Sequence, residues 1–177
     1  MERVAHLARQ TLGYYRDTGM PTEVHPHELI TNVLTVYNAK LVANDIAVET
    51  RFNDIQKIKV SRGEILQVFS NVIMNAIDAM QGGGKLEIST KKISGPIGDG
   101  IQTIIRDRGV GITQEQLDKV FEPFFTTKGN LKTGVGLWVA RQITERRGGQ
   151  ISVASSTESG SSGTSFTIFI PFAAPIP

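Results

Sequence analysis

The feature that most constrains the fold is the segment 61–80, which has the pattern of a long amphipathic helix. At about 100° per residue, its apolar side chains share one broad arc and its polar side chains share the opposite stripe. Such a helix needs a second layer of structure to cover its apolar face. Ser61 and Glu64 have the spacing of a capping box at its start, and the glycines at 82–84 end it. The apolar arc consists of Ile65, Leu66, Phe69, Val72, Ile73, Ala76, Ile77 and Met80.

Other segments also show helical spacing. Apolar residues at intervals of three and four predict helices over 2–17, 26–44 and 134–149. Thr113 followed by Gln116 predicts the capped start of a further short helix.

Strand patterns lie between these helices and are often successive. We expect strand 46–52 to pair with strand 55–60 across a tight turn at Asn53 and Asp54. Helices mixed with hairpin-linked strands predict an α/β sandwich, with one mixed sheet and the helices on one of its faces. The predicted strands are 46–52, 55–60, 85–93, 101–107, 150–156 and 164–171.

The composition excludes several classes of protein. Nineteen basic against seventeen acidic residues leave a net charge of +2, and the bases form only short pairs, so a nucleic-acid role is not indicated. The absence of cysteine excludes a disulfide scaffold and a thiolate metal site. No apolar run approaches the roughly 20 residues needed to span a bilayer, and residues 1–20 are too charged for a signal peptide.

The polar stripe of segment 61–80 is unusual because it carries Asn71 and Asn75, with Asp78 next along it. Asparagine is a mediocre helix former, so a solvated face would be better served by Glu, Lys or Arg. One interpretation is an ordinary solvated surface. The other is that the amide oxygens ligate Mg²⁺ together with substrate phosphates.

The sequence DRGVGI, residues 107–112, places an acid at the end of an apolar strand and glycines at alternate positions beyond it. Gly109 and Gly111 permit a close approach of backbone or ligand. The carboxylate of Asp107 could accept a hydrogen bond from an exocyclic amine such as that of adenine. A plain turn remains the alternative, and an EF-hand loop is excluded because the spaced carboxylates are absent.

The third candidate region, 121–133, lacks periodicity and is predicted to be a loop, although it holds Phe121, Phe124 and Phe125. Directly after it, Gly134 and Gly136 open a helix, whose free amides and positive dipole end can bind an anion. The region is neither a Walker A loop nor a Rossmann fingerprint. Glycines that merely cap a helix are the alternative.

The polar helix, the acid-glycine turn, the aromatic loop and the glycine-opened helix follow one another along the chain. Taken in that order, they resemble the ATP-binding catalytic domain of bacterial sensor histidine kinases, in the GHKL superfamily with gyrase, heat-shock chaperone ATPases and mismatch-repair ATPases. The resemblance covers about 27–171 and implies a Bergerat-type ATP-binding fold, with a mostly antiparallel sheet of about five strands. The matching motifs are NVIMNAIDAM (the N box), DRGVGI (the G1 box), FEPFFTTK (the F box) and KTGVGLWVARQI (the G2 box).

The resemblance also implies site residues and cofactors, namely ATP and Mg²⁺. Asn75 would ligate Mg²⁺ bound to ATP, Asn71 would assist at the phosphates, and Asp107 would accept from the adenine amino group. Loop 121–133 would form a mobile lid, with Lys128 as a candidate catalytic and phosphate contact. The other nucleotide-binding positions implied are Asp78, Gly109, Gly111, Ile112, Phe124, Thr126, Thr127, Lys132, Thr133, Gly134, Val135, Gly136, Leu137 and Thr164.

Two departures from the family pattern bear on activity. Lys132 replaces the first glycine that is common in the G2 box, which could stiffen the lid or add a phosphate contact. Asn71 stands where members that hydrolyse ATP carry a glutamate base, and an amide cannot accept a proton at neutral pH. The resemblance therefore favours transfer to histidine. An ATPase that uses water and a non-catalytic nucleotide-binding module remain alternatives.

The resemblance further implies a domain layout and partners. Residues 1–20 would be the end of the second helix of a dimerisation hairpin, 21–172 the catalytic domain, and 173–177 a tail. His6 would not be the phosphoacceptor, which the family carries on the first hairpin helix, and His25 and His27 would lie in the loop before a helix. The parent would be a homodimer that passes phosphate to a response regulator, with this domain in the cytoplasm and the parent either free or anchored in the inner membrane.

Overall fold

The computed structural model describes residues 20–53, 56–95, 98–127 and 133–172. The predicted helix at 2–17, the predicted tail 173–177, Lys128 and Lys132 lie outside the described residues. The helices are α1 (Pro26–Ala43), α2 (Arg62–Ala79), α3 (Gln114–Leu117) and α4 (Gly136–Arg146). The strands are β1 (Thr22–Val24), β2 (Ile46–Asn53), β3 (Ile58–Val60), β4 (Gly84–Gly95), β5 (Gly98–Asp107), β6 (Gln150–Ser156) and β7 (Gly163–Pro171).

Five of the strands form one sheet in the order β2-β4-β5-β7-β6, and the pairings are antiparallel except that of β2 with β4. The predicted two-layer fold is therefore confirmed: a mixed, mostly antiparallel five-stranded sheet with helices packed on it. The inner face of β5 shows the period of two expected of a half-buried strand, with Ile101, Thr103, Ile105 and Asp107 all buried.

The predicted pairing of strand 46–52 with strand 55–60 is wrong. β2 instead runs parallel to β4, with Ile46 opposite Gly84, and β3 pairs with β1, which the pattern did not predict. A parallel pair needs a long crossover. Here β3 and α2 supply that crossover, which leaves the apolar face of α2 against the sheet.

The apolar arc predicted for α2 is its buried face, as Phe69, Val72, Ile73 and Ala76 show. α2 packs between α1 on one side and α4 on the other. The most conspicuous helix of the sequence is therefore the central helix of the helical layer.

One predicted cap forms and the other does not. The amide of Thr113 donates to Gln116 Oε1 at 3.3 Å at the start of α3, as expected. At α2, Ser61 makes no side-chain capping hydrogen bond. Glu64 instead pairs with Arg146 at 2.8 Å and Arg147 at 2.6 Å, across the end of α4. Two charge-assisted pairs, one of them to the partly buried Arg147, hold this carboxylate more strongly than one backbone amide would, and they join α2 to α4.

The outer face of the sheet is polar. Lys85 donates hydrogen bonds to Glu49 and Glu87, and these bonds lower the pKa of both carboxyls and raise the pKa of Lys85. This face therefore looks toward solvent, opposite the helices.

His25 is the N-cap residue of α1, in agreement with its predicted position before a helix, although its side chain makes no capping hydrogen bond. The same prediction for His27 is wrong, because α1 begins at Pro26 and His27 lies in its first turn, where its ring stacks on Phe52 with centroids 5.7 Å apart. Within the described ranges, none of the helices combines the length and apolar character needed to cross a membrane.

Candidate functional site

Asp107 ends β5 as a buried carboxylate, with only 2% of its surface exposed. Its Oδ1 accepts from the amide of Gly109 at 2.9 Å and from the amide of Thr164 at 3.3 Å. Burying a carboxylate costs free energy unless hydrogen bonds compensate. The two amides therefore hold this acceptor in one orientation, where β5 meets the start of β7.

The turn after Asp107 packs directly on the end of α2. The amide of Val110 donates to the carbonyl of Ala79 at 3.1 Å. A Cβ atom on Gly109 would lie 2.5 Å from that same carbonyl oxygen, so only glycine allows this approach. Gly111 has φ +76°, and a Cβ there would lie 2.0 Å from the carbonyl oxygen of Ser156. A plain surface turn would not need this closeness.

The polar stripe of α2 that carries Asn71, Asn75 and Asp78, called the amide stripe below, faces the N-terminus of α4. Asn71 Nδ2 donates to the carbonyl of Gly136 at 2.8 Å. Asn75 and Asp78 follow on the same stripe, and all three side chains are half-buried rather than solvated. From Asn71 to Ala79 the helix rises by roughly 12 Å, at about 1.5 Å per residue. The stripe thus runs from the start of α4 to the turn after Asp107.

The aromatic loop has one anchored ring and one exposed ring. Phe121 packs edge-on against Phe166, with centroids 6.3 Å apart, while the Arg141 guanidinium lies 5.6 Å from the Phe121 centroid. Phe124 is 74% exposed and has φ +68°, an uncommon backbone conformation for a bulky residue. Gly134 lies against the backbone of Phe124 and Phe125. The two ends of the loop therefore meet.

The remaining predicted positions surround these features. Val135 is the N-cap of α4, and its carbonyl accepts from the amide of Val139 at 2.9 Å. Thr126 and Thr133 are half-buried, Thr127 is exposed, and Leu137 packs on the core. Since α4 has 11 residues, its first turn offers free amides and a positive dipole end.

Ser155 on β6 was missed by the sequence analysis. Its Oγ lies 2.8 Å from the amide of Ile112 and 2.9 Å from Thr164 Oγ1. These two partners are predicted site residues, and Ser155 joins them. The local pattern QISVASS carries no sign of this, because only the register that places Ser155 opposite Thr164 brings the groups together.

Comparisons with known proteins identify the family of this chain. Residues 61–174 match the family described as histidine kinase-, DNA gyrase B- and HSP90-like ATPase. The chain belongs to this family. The match begins at the N-cap of α2 and extends past β7, so it contains every box described above. A domain of this ATPase family binds ATP.

Relatives place the chain in the histidine kinase branch of the family. It is 34% identical over 182 residues to the sensor kinase CckA of Brucella abortus, which covers 96% of this chain. The solved catalytic domain of the histidine kinase ThkA is 31% identical, with TM-score 0.72, and the match covers 85% of this chain and 97% of that one. ThkA in complex with the response regulator protein TrrA is 26% identical, with TM-score 0.74, over 97% of this chain and 48% of that one.

The chain is thus a histidine kinase ATP-binding catalytic domain. It spans only 19% to 32% of the length of the first curated relatives that it matches.

Proposed function

We propose that this kinase domain binds Mg·ATP and transfers the γ-phosphoryl group to a histidine on a dimerisation domain, from which a response regulator then receives it. The observation that carries the proposal is the position of α2. Its amide stripe runs between a buried acceptor carboxylate at one end and the opening of α4 at the other. A nucleotide has the matching polarity, with a base that donates at one end and anionic phosphates at the other.

At the base end, we infer that Asp107 accepts from the adenine amino group. A carboxylate can only accept hydrogen bonds, and here Oδ1 already accepts from two backbone amides. Those amides orient the carboxylate without supplying a competing donor. The close packing at Gly109 supports a narrow site for the base, because the turn cannot move toward α2.

At the phosphate end, we infer that Asn71, Asn75 and the first turn of α4 face the triphosphate. The half-buried amides suit Mg²⁺, since this ion favours oxygen ligands and is commonly shared between one or two protein groups and substrate phosphates. Asn75 would hold the ion, which when bound neutralises charge on the phosphate oxygens. Lys128 and Lys132 are proposed as further phosphate contacts, and both lie outside the described residues.

The chemistry proposed needs no base at position 71. A neutral imidazole nitrogen attacks the γ-phosphorus with its lone pair, a P–N bond forms, and the bond from that phosphorus to the β,γ-bridging oxygen breaks to release ADP. The proton on the other ring nitrogen is then lost to solvent. Catalysis then consists mainly of positioning and charge stabilisation. Asn71 donates to the carbonyl of Gly136, so it ties the amide stripe to the helix opening instead of activating water.

The same proposal covers the rest of the parent protein. Residues 1–20 would connect to the dimerisation domain, 21–172 would form the catalytic domain and 173–177 a tail, in a cytoplasmic part of a homodimeric kinase. The structure of ThkA with a response regulator supports the choice of partner by analogy.

The direct test adds ³²P-labelled ATP to the chain with and without the dimerisation hairpin of its parent. We expect acid-labile label on the hairpin histidine and none on this chain alone. Steady release of inorganic phosphate without labelled hairpin would instead favour the ATPase that uses water. Binding of ATP with neither reaction would favour a non-catalytic module.

Replacing Asn75 by alanine should weaken nucleotide binding about tenfold when Mg²⁺ is present, which corresponds to about 1.4 kcal/mol. The reason is the loss of the amide oxygen that would ligate the ion. Calorimetric titration with ADP, with Mg²⁺ or with EDTA, measures the effect, and the loss should nearly vanish in EDTA. The half-buried Gln67, one turn before Asn71, provides the control Gln67→Ala, which should bind like wild type. Equal affinity of Asn75→Ala and wild type in Mg²⁺ would refute the metal assignment.

A further inference from the structure

The Ser155 hydroxyl on β6 connects two segments at the base end of the site. Its Oγ donates to the carbonyl of Gly163 at 2.8 Å and lies 2.8 Å from the amide of Ile112. It also lies 2.9 Å from Thr164 Oγ1. Three strand or turn segments therefore meet at one half-buried hydroxyl.

Counting hydrogens gives each of these bonds a direction. A serine hydroxyl has one hydrogen and two acceptor lone pairs. Its hydrogen goes to the carbonyl of Gly163, and one lone pair accepts from the amide of Ile112. Thr164 must then be the donor in the bond between the two hydroxyls. Because the single hydrogen of the Thr164 hydroxyl is used in the bond to Ser155, this hydroxyl can only accept from any further partner.

Thr164 and Asp107 lie on the same side of the sheet. They are directly opposite in the antiparallel pairing of β5 with β7, and the amide of Thr164 donates to Asp107 Oδ1. Opposite residues in such a pair share a face. Both side chains thus present hydrogen-bond acceptors on the same face of the sheet. Two acceptors match a 6-amino group on a purine and oppose a 6-oxo group.

We propose that Ser155 is a positioning residue for base selectivity: it orients the Thr164 hydroxyl as an acceptor and holds the turn at Ile112 against β7. The proposal rests on the proposed function, in which this end of the site receives adenine. Ser155 does not itself contact the base. Without the Ser155 hydroxyl, the Thr164 hydroxyl could rotate and donate to a 6-oxo group. The amide of Ile112 and the carbonyl of Gly163 would also lose this hydrogen-bond partner.

The experiment compares binding of ATP and inosine triphosphate, which carries a 6-oxo group, by calorimetry for the folded chain with Mg²⁺. The readout is the ratio of the two Kd values, together with Tm. Ser155→Ala should lower the preference for ATP at least threefold. Ser155→Thr keeps the hydroxyl and should retain the preference of wild type. Ser152→Ala, an exposed serine on the same strand, is the matched control and should change neither Kd nor Tm.

The outcomes separate this inference from the proposed function. A hydroxyl that serves stability alone would lower Tm in Ser155→Ala but leave the ratio unchanged, and that result would overturn the inference. A folded Ser155→Thr with the ratio of the alanine variant would overturn it as well. If Ser155→Ala does not fold, the size-matched Ser155→Cys should show the reduced ratio, and an unchanged ratio there refutes the idea.

If the wild-type chain binds ATP and inosine triphosphate equally well, both this inference and the function proposed for Asp107 are refuted. A wild-type preference that Asp107→Asn abolishes and Ser155→Ala leaves intact would remove this inference alone.

Discussion

Asp107→Asn is expected to lower the affinity for ATP by roughly thirtyfold, or about 2 kcal/mol. Asp107 Oδ1 accepts from the amides of Gly109 and Thr164, so an asparagine must keep its oxygen there. Its NH₂ group then takes the place of the other carboxylate oxygen. A donor would face the donating amino group of adenine, and the loss of a hydrogen bond to a charged acceptor adds to this mismatch.

Calorimetric titration with ATP and with ADP measures the effect of Asp107→Asn. Asp99→Asn is the matched control, because Asp99 is an exposed acid at the other end of the same strand. It removes the same charge from the chain and should bind like wild type. If a folded Asp107→Asn variant binds ATP as tightly as the control, the base end of the site has been assigned to the wrong residue.

Gly111→Ala is expected to lower the free energy of unfolding by about 3 to 4 kcal/mol and to abolish measurable ATP binding. About 1 to 2 kcal/mol comes from the positive φ of +76°. The remainder comes from the added Cβ, which would lie 2.0 Å from the carbonyl oxygen of Ser156 and must displace backbone. That displacement would separate Ile112 from Ser155 and disturb the turn after Asp107.

Gly160→Ala separates the two contributions. Gly160 also has a positive φ, +85°, but no atom lies within 4 Å of where its Cβ would be. We expect its thermal midpoint to fall by about 3 °C, against about 10 °C for Gly111→Ala, from the dependence of Tm on stability in domains of this size. Denaturation curves of both variants give the comparison. Equal losses at the two glycines would show that the close approach to Ser156 does not constrain the turn.

Much of the fold could be predicted because the relevant patterns are local. The helix over 61–80 and the hairpin of β4 with β5 follow from spacing within a few residues, and so does the Thr113–Gln116 capping box. Predictions from local sequence patterns were wrong where a residue or strand pairs with a partner far away in the chain. Glu64 has the spacing to cap its own helix, yet it pairs with Arg146 and Arg147, more than 80 positions away. A turn was predicted after strand β2 at Asn53 and Asp54, yet β2 pairs with β4 beyond the crossover.

The site divides in the same way. Asn71, Asp107, Gly109 and Gly136 were predicted because their residue types are costly or unusual where they stand. The contact between Asn71 and Gly136 joins residues 65 positions apart. Its distance and direction became available only once α2 and α4 were packed together.

What the sequence alone determined about this protein is its set of elements, their amphipathic faces and the four motifs that mark the family. These depend on neighbouring residues and on the solvent, and so they can be read along the chain. Only the tertiary structure decided which strands pair and that the Glu64 carboxylate pairs with two arginines. It also decided that Ser155 joins the turn at Ile112 to Thr164. Those outcomes depend on sheet register and helix packing between distant segments, where a shift of one residue would exchange every contact.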